Sequence, residues 1–383
     1  LLLLPLAARA APPVAVDAEL TTEAERTRIV LVASRETETT SFLLEGPDRV
    51  VVEMPGLHCR LPPEAGRRRT GIVAGFRCGL VALGRTRLVV DLAAPATIAR
   101  LAWEPGPVPG LMRLVLDLER SDRESFRKAA RLPAADPETT GSIAGSPAGG
   151  LPLVALDAGH GGIASGAVAS TGDFEKDVVL AFARALRDAL VASGRVRVTM
   201  TRDGDVFVPL DERVRIARSA GADLFISVHG DSMASAAGRG ATIYTGAERA
   251  TDVESARLAE RENAADQKAG IVAAEIRAGV SEILQELTLR ETRGLSHRFA
   301  GQLQGAMAPV MKLTPQPHRE AGFRVLRAPD MTSVLVELGY LSNTKDASLL
   351  LSDDWRTKSA AAMASAVEKF FGSRRLGHAA VSP

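Results

Sequence analysis

Two hydrophobic patterns divide the chain. Between about residues 26 and 118, short runs rich in β-branched residues are bounded by turn formers, a pattern that predicts β-strands. After residue 151, continuous apolar runs typical of buried parallel strands alternate with segments of helical periodicity. The sequence therefore predicts a small all-β sandwich over 26–118, followed by a three-layer α/β domain with a mostly parallel sheet over 151–373. The clearest β runs of the first region are 28–32, 49–53, 86–91 and 112–117.

The segment between these two regions has a different composition. Residues 132–150 are rich in Pro, Gly and small polar side chains, and such a stretch cannot bury enough apolar surface to become ordered. We therefore predict a flexible linker over 119–150. A helix over about 355–371 is expected to close the α/β domain, and residues 374–383 are expected to form a loose tail.

The first ten residues are a leucine-rich run that ends in Ala8-Arg9-Ala10. This small-x-small ending is typical of a signal-peptide cleavage site, and the run is too short to span a bilayer. We expect residues 1–10 to be the remainder of an export signal and the protein to be periplasmic, without a transmembrane segment. The competing interpretation is an apolar, disordered N-terminus.

Charge and aromatic content argue against nucleic acid as a partner. The 47 Lys and Arg residues nearly balance the 46 Asp and Glu residues, and aromatic residues make up only 4% of the chain. Nucleic-acid binding needs a basic face, and single strands also need stacking platforms. Export would permit a disulfide between Cys59 and Cys78, but two cysteines alone do not show that one forms.

Four residues suited to a metal site lie at predicted strand ends or at the next helix start. His160, His229 and Glu337 each end an apolar run, and Glu175 precedes a helical one. A lone histidine is more often structural, but four such residues at one sheet edge favour a single site. Two histidines and two glutamates are the inventory of a catalytic zinc site, in which three protein ligands leave one position for water. The other candidates are interpreted as non-ligands: His297 in a polar helical stretch, His318 in a Pro-rich loop and His378 in the tail.

With these residues in place, 151–373 resembles the zinc-dependent N-acetylmuramoyl-L-alanine amidases of the bacterial cell wall, of the cell-division type. The matching stretches are DAGHGG (157–162), EKDVVL (175–180), TRDGD (201–205), SVH (227–229) and LVELGYLSN (335–343). Residues 26–118 resemble the AMIN domain, a β-sandwich that targets such amidases to the envelope, through RCG (77–79) and TRLVVD (86–91). Ala158 and Gly230 depart from the usual family residues, and neither is a ligand.

The resemblance assigns roles to the four residues. It implies that His160, Glu175 and His229 bind Zn²⁺ and that Glu337 is the catalytic carboxylate. The reaction would be hydrolysis of the amide bond between N-acetylmuramic acid and L-alanine in peptidoglycan, for wall remodelling and daughter-cell separation. Two alternatives are a zinc peptidase or deacylase of similar fold, and a catalytically silent envelope-binding protein.

A long charged helical stretch, about 248–293, follows the strand that ends at His229. Thr251 and Glu254 fit a capping box at its start. The resemblance implies a regulatory helix that covers the zinc until a protein activator displaces it, with Glu248 or Glu254 as possible autoinhibitory residues. The simpler interpretation is a solvated surface helix.

Overall fold

The computed structural model describes residues 12–23, 26–62, 64–82, 84–130, 150–233, 238–270 and 285–379. The chain divides into two compact units on either side of about residue 134. The expected signal remnant at 1–10 and most of the expected linker, 131–149, lie outside the described residues. The first part of that linker is folded instead of flexible, because a helix over Arg123–Ala129 follows the last strand of the N-terminal unit.

The described part of the N-terminal unit is built almost entirely from strands. These are β1 (Val14–Glu23), β2 (Arg26–Ala33), β3 (Thr40–Leu44), β4 (Arg49–Glu53), β5 (His58–Cys59), β6 (Val73–Ala82), β7 (Arg85–Leu92), β8 (Ala96–Pro105) and β9 (Met112–Arg120), followed by α1 (Arg123–Ala129). They form two sheets, in the orders β5-β1-β2-β9-β8 and β3-β4-β7-β6. Every neighbouring pair except β1–β5 is antiparallel.

The two sheets pack face to face. Buried and more exposed positions alternate along β2, as expected of a strand with one face on a core. Ile29 and Leu31 of β2 belong to the same apolar cluster as Val50 of β4. The predicted all-β sandwich is therefore confirmed. A disulfide between Cys59 and Cys78 joins β5 to β6, one strand from each sheet.

The C-terminal unit alternates strands and helices. Its strands are β10 (Leu153–Ala158), β11 (Arg197–Met200), β12 (Leu224–His229), β13 (Ala241–Gly246), β14 (Leu313–Ala321) and β15 (Thr332–Glu337). Its helices are α2 (Glu175–Ala192), α3 (Leu210–Ser219), α4 (Val253–Asn263), α5 (Ala265–Lys268), α6 (Gln285–Met307), α7 (Thr344–Leu350) and α8 (Asp353–Ala379). The sheet order is β11-β10-β12-β15-β13-β14, and β13–β15 is its antiparallel pair.

Helices cover both faces of this sheet. Val154 and Leu156 of β10 share a core cluster with residues of α2, α6 and α8. Asp157, which points to the opposite face because side chains alternate along a strand, contacts Arg213 of α3. The predicted three-layer α/β domain with a mostly parallel sheet is therefore confirmed.

Two local expectations were wrong. The expected loose tail from residue 374 continues α8 as far as Ala379, and His318, expected in a loop, lies within β14. Among the described residues, no helix is both long and apolar enough to cross a membrane.

Candidate metal centre

The four side chains singled out in the sequence meet at the carboxyl edge of the parallel strands. His229 and Glu337 end the neighbouring strands β12 and β15, and they are direct partners in the register of that pair. His160 follows β10 by two residues, and Glu175 begins α2. The structure thus brings together all four residues, as expected where neighbouring parallel strands end.

Three of these side chains form a tight group. The Nε2 atom of His160 and the Nδ1 atom of His229 each lie 3.2 Å from Oε1 of Glu175. The potential ligand atoms of the three residues all lie within 4.8 Å of one another. The Glu175 side chain is fully buried, and its carboxylate accepts hydrogen bonds from the amides of Ala167 (2.8 Å) and Gly230 (2.9 Å). Its two oxygens are therefore held in place by backbone donors.

The backbone around His160 is strained so that its ring can face the group. His160 has φ = 58°, and among the described residues it is the non-glycine residue with positive φ. Such a conformation costs about 1–2 kcal/mol for a residue with a Cβ. Gly159 makes the close approach possible, because a Cβ at this position would overlap the His229 ring. The loop conformation must therefore be stabilised by other contacts.

Two buried arginines supply those contacts. Arg213 of α3 donates to the carbonyl of His160 (2.6 Å) and to that of Ala158 (2.8 Å). Arg202 donates to the carbonyls of Ala158 and Gly159, both at 2.8 Å. Burial lowers the pKa of Arg202 to about 10, so it remains charged at neutral pH. The two guanidinium groups fix the loop that carries His160.

Asp157 neutralises part of this buried charge. Its Oδ1 lies 2.8 Å from Nη1 of Arg213, and it accepts hydrogen bonds from the hydroxyls of Thr201 and Ser227. Sequence reasoning found Arg202 only as part of a family motif, and it missed Arg213. A signal was nevertheless present, because Arg213 shares one helix face with Leu210 and Ala217, which are also buried.

Glu337 has a different environment from Glu175. Its Oε2 accepts a hydrogen bond from the amide of Asp231 at 3.0 Å, whereas its Oε1 is buried without a hydrogen-bond partner. Burial raises the pKa of Glu337 well above its usual range, and the carboxylates of Glu175 and Asp231 add to this effect. One oxygen of Glu337 is therefore fixed by a backbone donor, and the other has no hydrogen-bond partner among the described residues.

A fifth acidic residue, Glu262 of α4, also reaches this group. Its Oε2 lies 3.3 Å from Nδ1 of His229 and 3.5 Å from Nε2 of His160. The space that remains between α4 and the histidines is a cavity of about 10 Å³, room for about one water molecule. The described structure is therefore closed at this point.

The sequence pointed to other glutamates of the same segment. The side chain of Glu248 is 92% exposed and pairs with Arg293, while Glu254 pairs with Arg319. The structure brings neither carboxylate to the histidines. Glu248 precedes α4, and the helical phase of α4 turns Glu254 away from its buried face, which is formed by Ser255, Leu258, Ala259 and Glu262. The helix is also capped by Asp252 instead of Thr251, since the Asp252 side chain accepts from the amide of Ser255.

The donor set and its electrostatics fit a divalent cation. Burial alone would raise the pKa of Glu175, but His160 and His229 outweigh it and hold that pKa well below its usual range. Burial opposes protonation of His229, yet Glu262, Glu175 and Glu337 together raise its pKa to about 10. The Nε2 atom of His160 is buried without a hydrogen-bond partner. A metal ion would satisfy that nitrogen and supply the positive charge that the carboxylates require.

Comparison with known proteins decides the family. A profile of the N-acetylmuramoyl-L-alanine amidase family matches residues 154–369. The chain belongs to this family. An AMIN domain profile matches residues 16–118, so both resemblances seen in the sequence are confirmed. The cell-wall amidase function expected from the sequence, hydrolysis of the amide bond between N-acetylmuramic acid and L-alanine in peptidoglycan, is confirmed as well.

Individual relatives match either nearly the whole chain or a little more than half of it. The chain is 32% identical to the N-acetylmuramoyl-L-alanine amidase AmiC of Neisseria meningitidis over 370 residues, which are 91% of this chain and 87% of that protein. It is 38% identical to AmiA of Escherichia coli over 224 residues, 58% of this chain and 77% of that protein. The solved structure of AmiC2 of Nostoc punctiforme is 25% identical, with a TM-score of 0.42, and the match covers 58% of this chain and 98% of that one.

Proposed function

We propose that this amidase is zinc-dependent, that His160, Glu175 and His229 hold the zinc, and that Glu337 is its general base and acid. One observation carries the proposal. Two imidazoles and a carboxylate converge within 4.8 Å of one another, and the buried, unpartnered Oε1 of Glu337 lies on the residue paired with His229. Two histidines and one glutamate are a known ligand set of catalytic zinc sites.

The chemistry is divided between the metal and Glu337. Bound zinc would polarise the scissile carbonyl and bring the pKa of a coordinated water toward neutrality. Glu337, held through Oε2 by the amide of Asp231, takes a proton from the attacking water on its other oxygen. It then returns that proton to the leaving L-alanine nitrogen.

We further propose that α4 autoinhibits the enzyme through Glu262. Oxygen ligands suit zinc, and the Glu262 carboxylate stands where water and substrate would otherwise approach the histidines. Arg261 strengthens the closed state, since its guanidinium bonds Asp231 at 2.6 Å. A protein activator would have to bind the open state more tightly than the closed one by at least the free energy of closure.

The cellular role follows from the two units together. We propose that the protein is exported to the periplasm through an N-terminal signal, and that the N-terminal sandwich targets it to the envelope. There it would cut peptidoglycan during wall remodelling and the separation of daughter cells.

Substitution of Glu337 by Gln tests the assignment most directly. The Glu337→Gln protein should keep its fold and its zinc but release stem peptides from purified peptidoglycan about a hundredfold more slowly, the usual scale for a general base. Rates are compared in a Glu262→Ala background, so that the closed helix does not mask the difference, and products are identified by mass spectrometry.

Two further variants complete this experiment. His229→Ala should lose one zinc per chain, whereas His58→Ala, which removes an exposed histidine of the N-terminal unit, should change neither zinc content nor rate. Turnover at the unmodified rate in Glu337→Gln, or full zinc retention in His229→Ala, would refute the proposed roles.

A further inference from the structure

A second group of histidine and glutamate side chains lies at the β14 edge of the same sheet. His318 and Glu320 lie on β14, the edge strand next to β13. His297 reaches them from α6, and Thr245 of β13 lies between the two rings. The mechanism uses none of these residues.

The nitrogen atoms of the two rings face a common point. The Nε2 atoms of His318 and His297 lie 3.0 Å and 3.5 Å from the hydroxyl oxygen of Thr245. The Nε2 atom of His297 also lies 2.8 Å from Oε1 of Glu320. The ion pair with Glu320 orients the His297 ring, and the hydrogen bond with Thr245 orients the His318 ring, so both Nε2 atoms are turned toward one hydroxyl.

The second group shares its ring geometry and its donor types with the candidate zinc site. The rings of His297 and His318 have centroids 5.0 Å apart and planes at 75°, while those of His160 and His229 have centroids 5.0 Å apart and planes at 76°. In both groups a glutamate oxygen lies within 3.2 Å of a histidine nitrogen. The chain therefore presents the same donor set twice.

We propose that His297, His318 and Glu320 form a second binding site for a divalent transition metal such as zinc. The first group is already compact, with all its ligand atoms within 4.8 Å of one another; the second needs side-chain rotation to close around an ion. His297 and Glu320 have side chains 44% and 39% exposed, so this rotation displaces no core packing. Bonds of about 2.0–2.2 Å to zinc would draw the three ligands together.

The position of this site connects it with the segment that carries Glu262. Thr251, just before α4, and Glu320 exchange two hydrogen bonds: the Thr251 amide donates to the Glu320 carbonyl (2.9 Å), and the Glu320 amide donates to the Thr251 hydroxyl (2.7 Å). His297 lies on α6, which the chain enters after that segment. A metal at this site would therefore link the start of α4, through Thr251 and Glu320, to α6. Its relevance to autoinhibition rests on the proposed function, whereas the metal site itself does not.

Metal stoichiometry tests the site independently of amidase activity. The full chain and its variants are stripped with a chelator, dialysed to equilibrium against zinc, and analysed for bound metal per chain. We expect two zinc ions in the wild type, one in His318→Ala, one in His229→Ala and none in the double variant. His58→Ala, a matched control for loss of an exposed histidine, should retain two.

Cobalt provides a second readout in the His229→Ala protein. Co²⁺ bound there should give the d–d absorption of a histidine-ligated ion, and His297→Gln should abolish it while circular dichroism stays unchanged. One zinc in the wild type together with none in His229→Ala would overturn the second site and leave the proposed function standing. Equal zinc content in the wild type and His229→Ala would instead count against the catalytic assignment, so the two failures are distinguishable.

Discussion

The two units of the chain place their charges differently. In the N-terminal sandwich, described ion pairs such as Arg26–Glu119 and Arg77–Asp91 cross the strands with at least one partner partly in water. In the C-terminal unit, Arg213 and Asp157 form an ion pair whose side chains are only 2% and 1% exposed. These pairs of the sandwich thus keep at least one partner in water, whereas the C-terminal unit buries both partners of the Arg213–Asp157 pair.

The difference follows from the two kinds of sheet. A sandwich of antiparallel sheets has one solvated face on each sheet, so charged side chains can alternate with apolar ones. A parallel sheet is covered on both faces, and a charge placed there loses several kcal/mol of hydration. In the C-terminal unit Asp157, Glu175 and Glu337 are nevertheless buried, at or beside one sheet edge. Such a concentration of buried charge at one place is typical of a functional site.

Removal of Arg213 should have the largest effect of the changes that test this comparison. Arg213→Ala leaves Asp157 buried without its cation, and the loss of one partner of a buried pair costs about 3–5 kcal/mol. It also frees the strained backbone at His160. Urea unfolding of the C-terminal unit can be followed by the fluorescence of Trp355 in a Trp103→Phe background, because the chain has one tryptophan in each unit.

The matched control lies on the same helix. Arg218 of α3 pairs with Asp330, and the two side chains are 43% and 47% exposed, so Arg218→Ala should cost about 1 kcal/mol or less. Equal losses of unfolding free energy in Arg213→Ala and Arg218→Ala would show that burial does not distinguish the two kinds of ion pair, and the comparison would fail.

The sequence predicted those parts of the molecule that depend on local pattern. The buried runs that become β10, β12 and β15 are continuous and apolar. Such runs predict parallel strands, and the carboxyl ends of parallel strands lie at the same edge of their sheet. β1 was missed, because in VAVDAELTTE apolar and polar residues mix and only two positions are fully buried. A strand with little burial has a weak signal in the sequence.

Contacts between distant segments were the second limit. Glu262 was overlooked because its role depends on where α4 lies relative to His229, and neither spacing nor composition contains that distance. The spacing of the buried residues of α4 does indicate which face of the helix turns inward, so a periodicity analysis would have favoured Glu262 over Glu254. Arg213 was overlooked because a charged residue on a helix usually indicates the solvated face.

Glu262 extends the comparison of exposed and buried charges, because α4 brings this buried carboxylate to the two histidines. Glu262→Ala should raise the basal rate of peptidoglycan cleavage about tenfold, since a charge-assisted contact is worth about 1.5–3 kcal/mol and other contacts of α4 remain. Glu254→Ala, on the exposed side of the same helix, should leave the rate unchanged. The measurement is release of stem peptides without any activator. Equal rates in wild type and Glu262→Ala would exclude autoinhibition by this carboxylate.

The smallest effect is expected in the N-terminal sandwich, at the ion pair of Arg28 and Asp117. Arg28 donates two hydrogen bonds to Asp117, at 2.6 Å and 2.8 Å, and these hold the pKa of Asp117 below its usual value although burial opposes them. The folded pKa is thus below the unfolded value of about 3.9, so the stabilisation is complete above about pH 5 and disappears as the pH falls through the folded pKa.

Arg28→Ala should therefore lower the unfolding free energy of the N-terminal unit by about 1 kcal/mol at pH 7, and the difference from wild type should shrink on acidification below about pH 4. Trp103 fluorescence in a Trp355→Phe background reports this unit alone. A loss as large as that in Arg213→Ala, or one that stays constant down to pH 3, would show that the half-exposed pair behaves as a buried one.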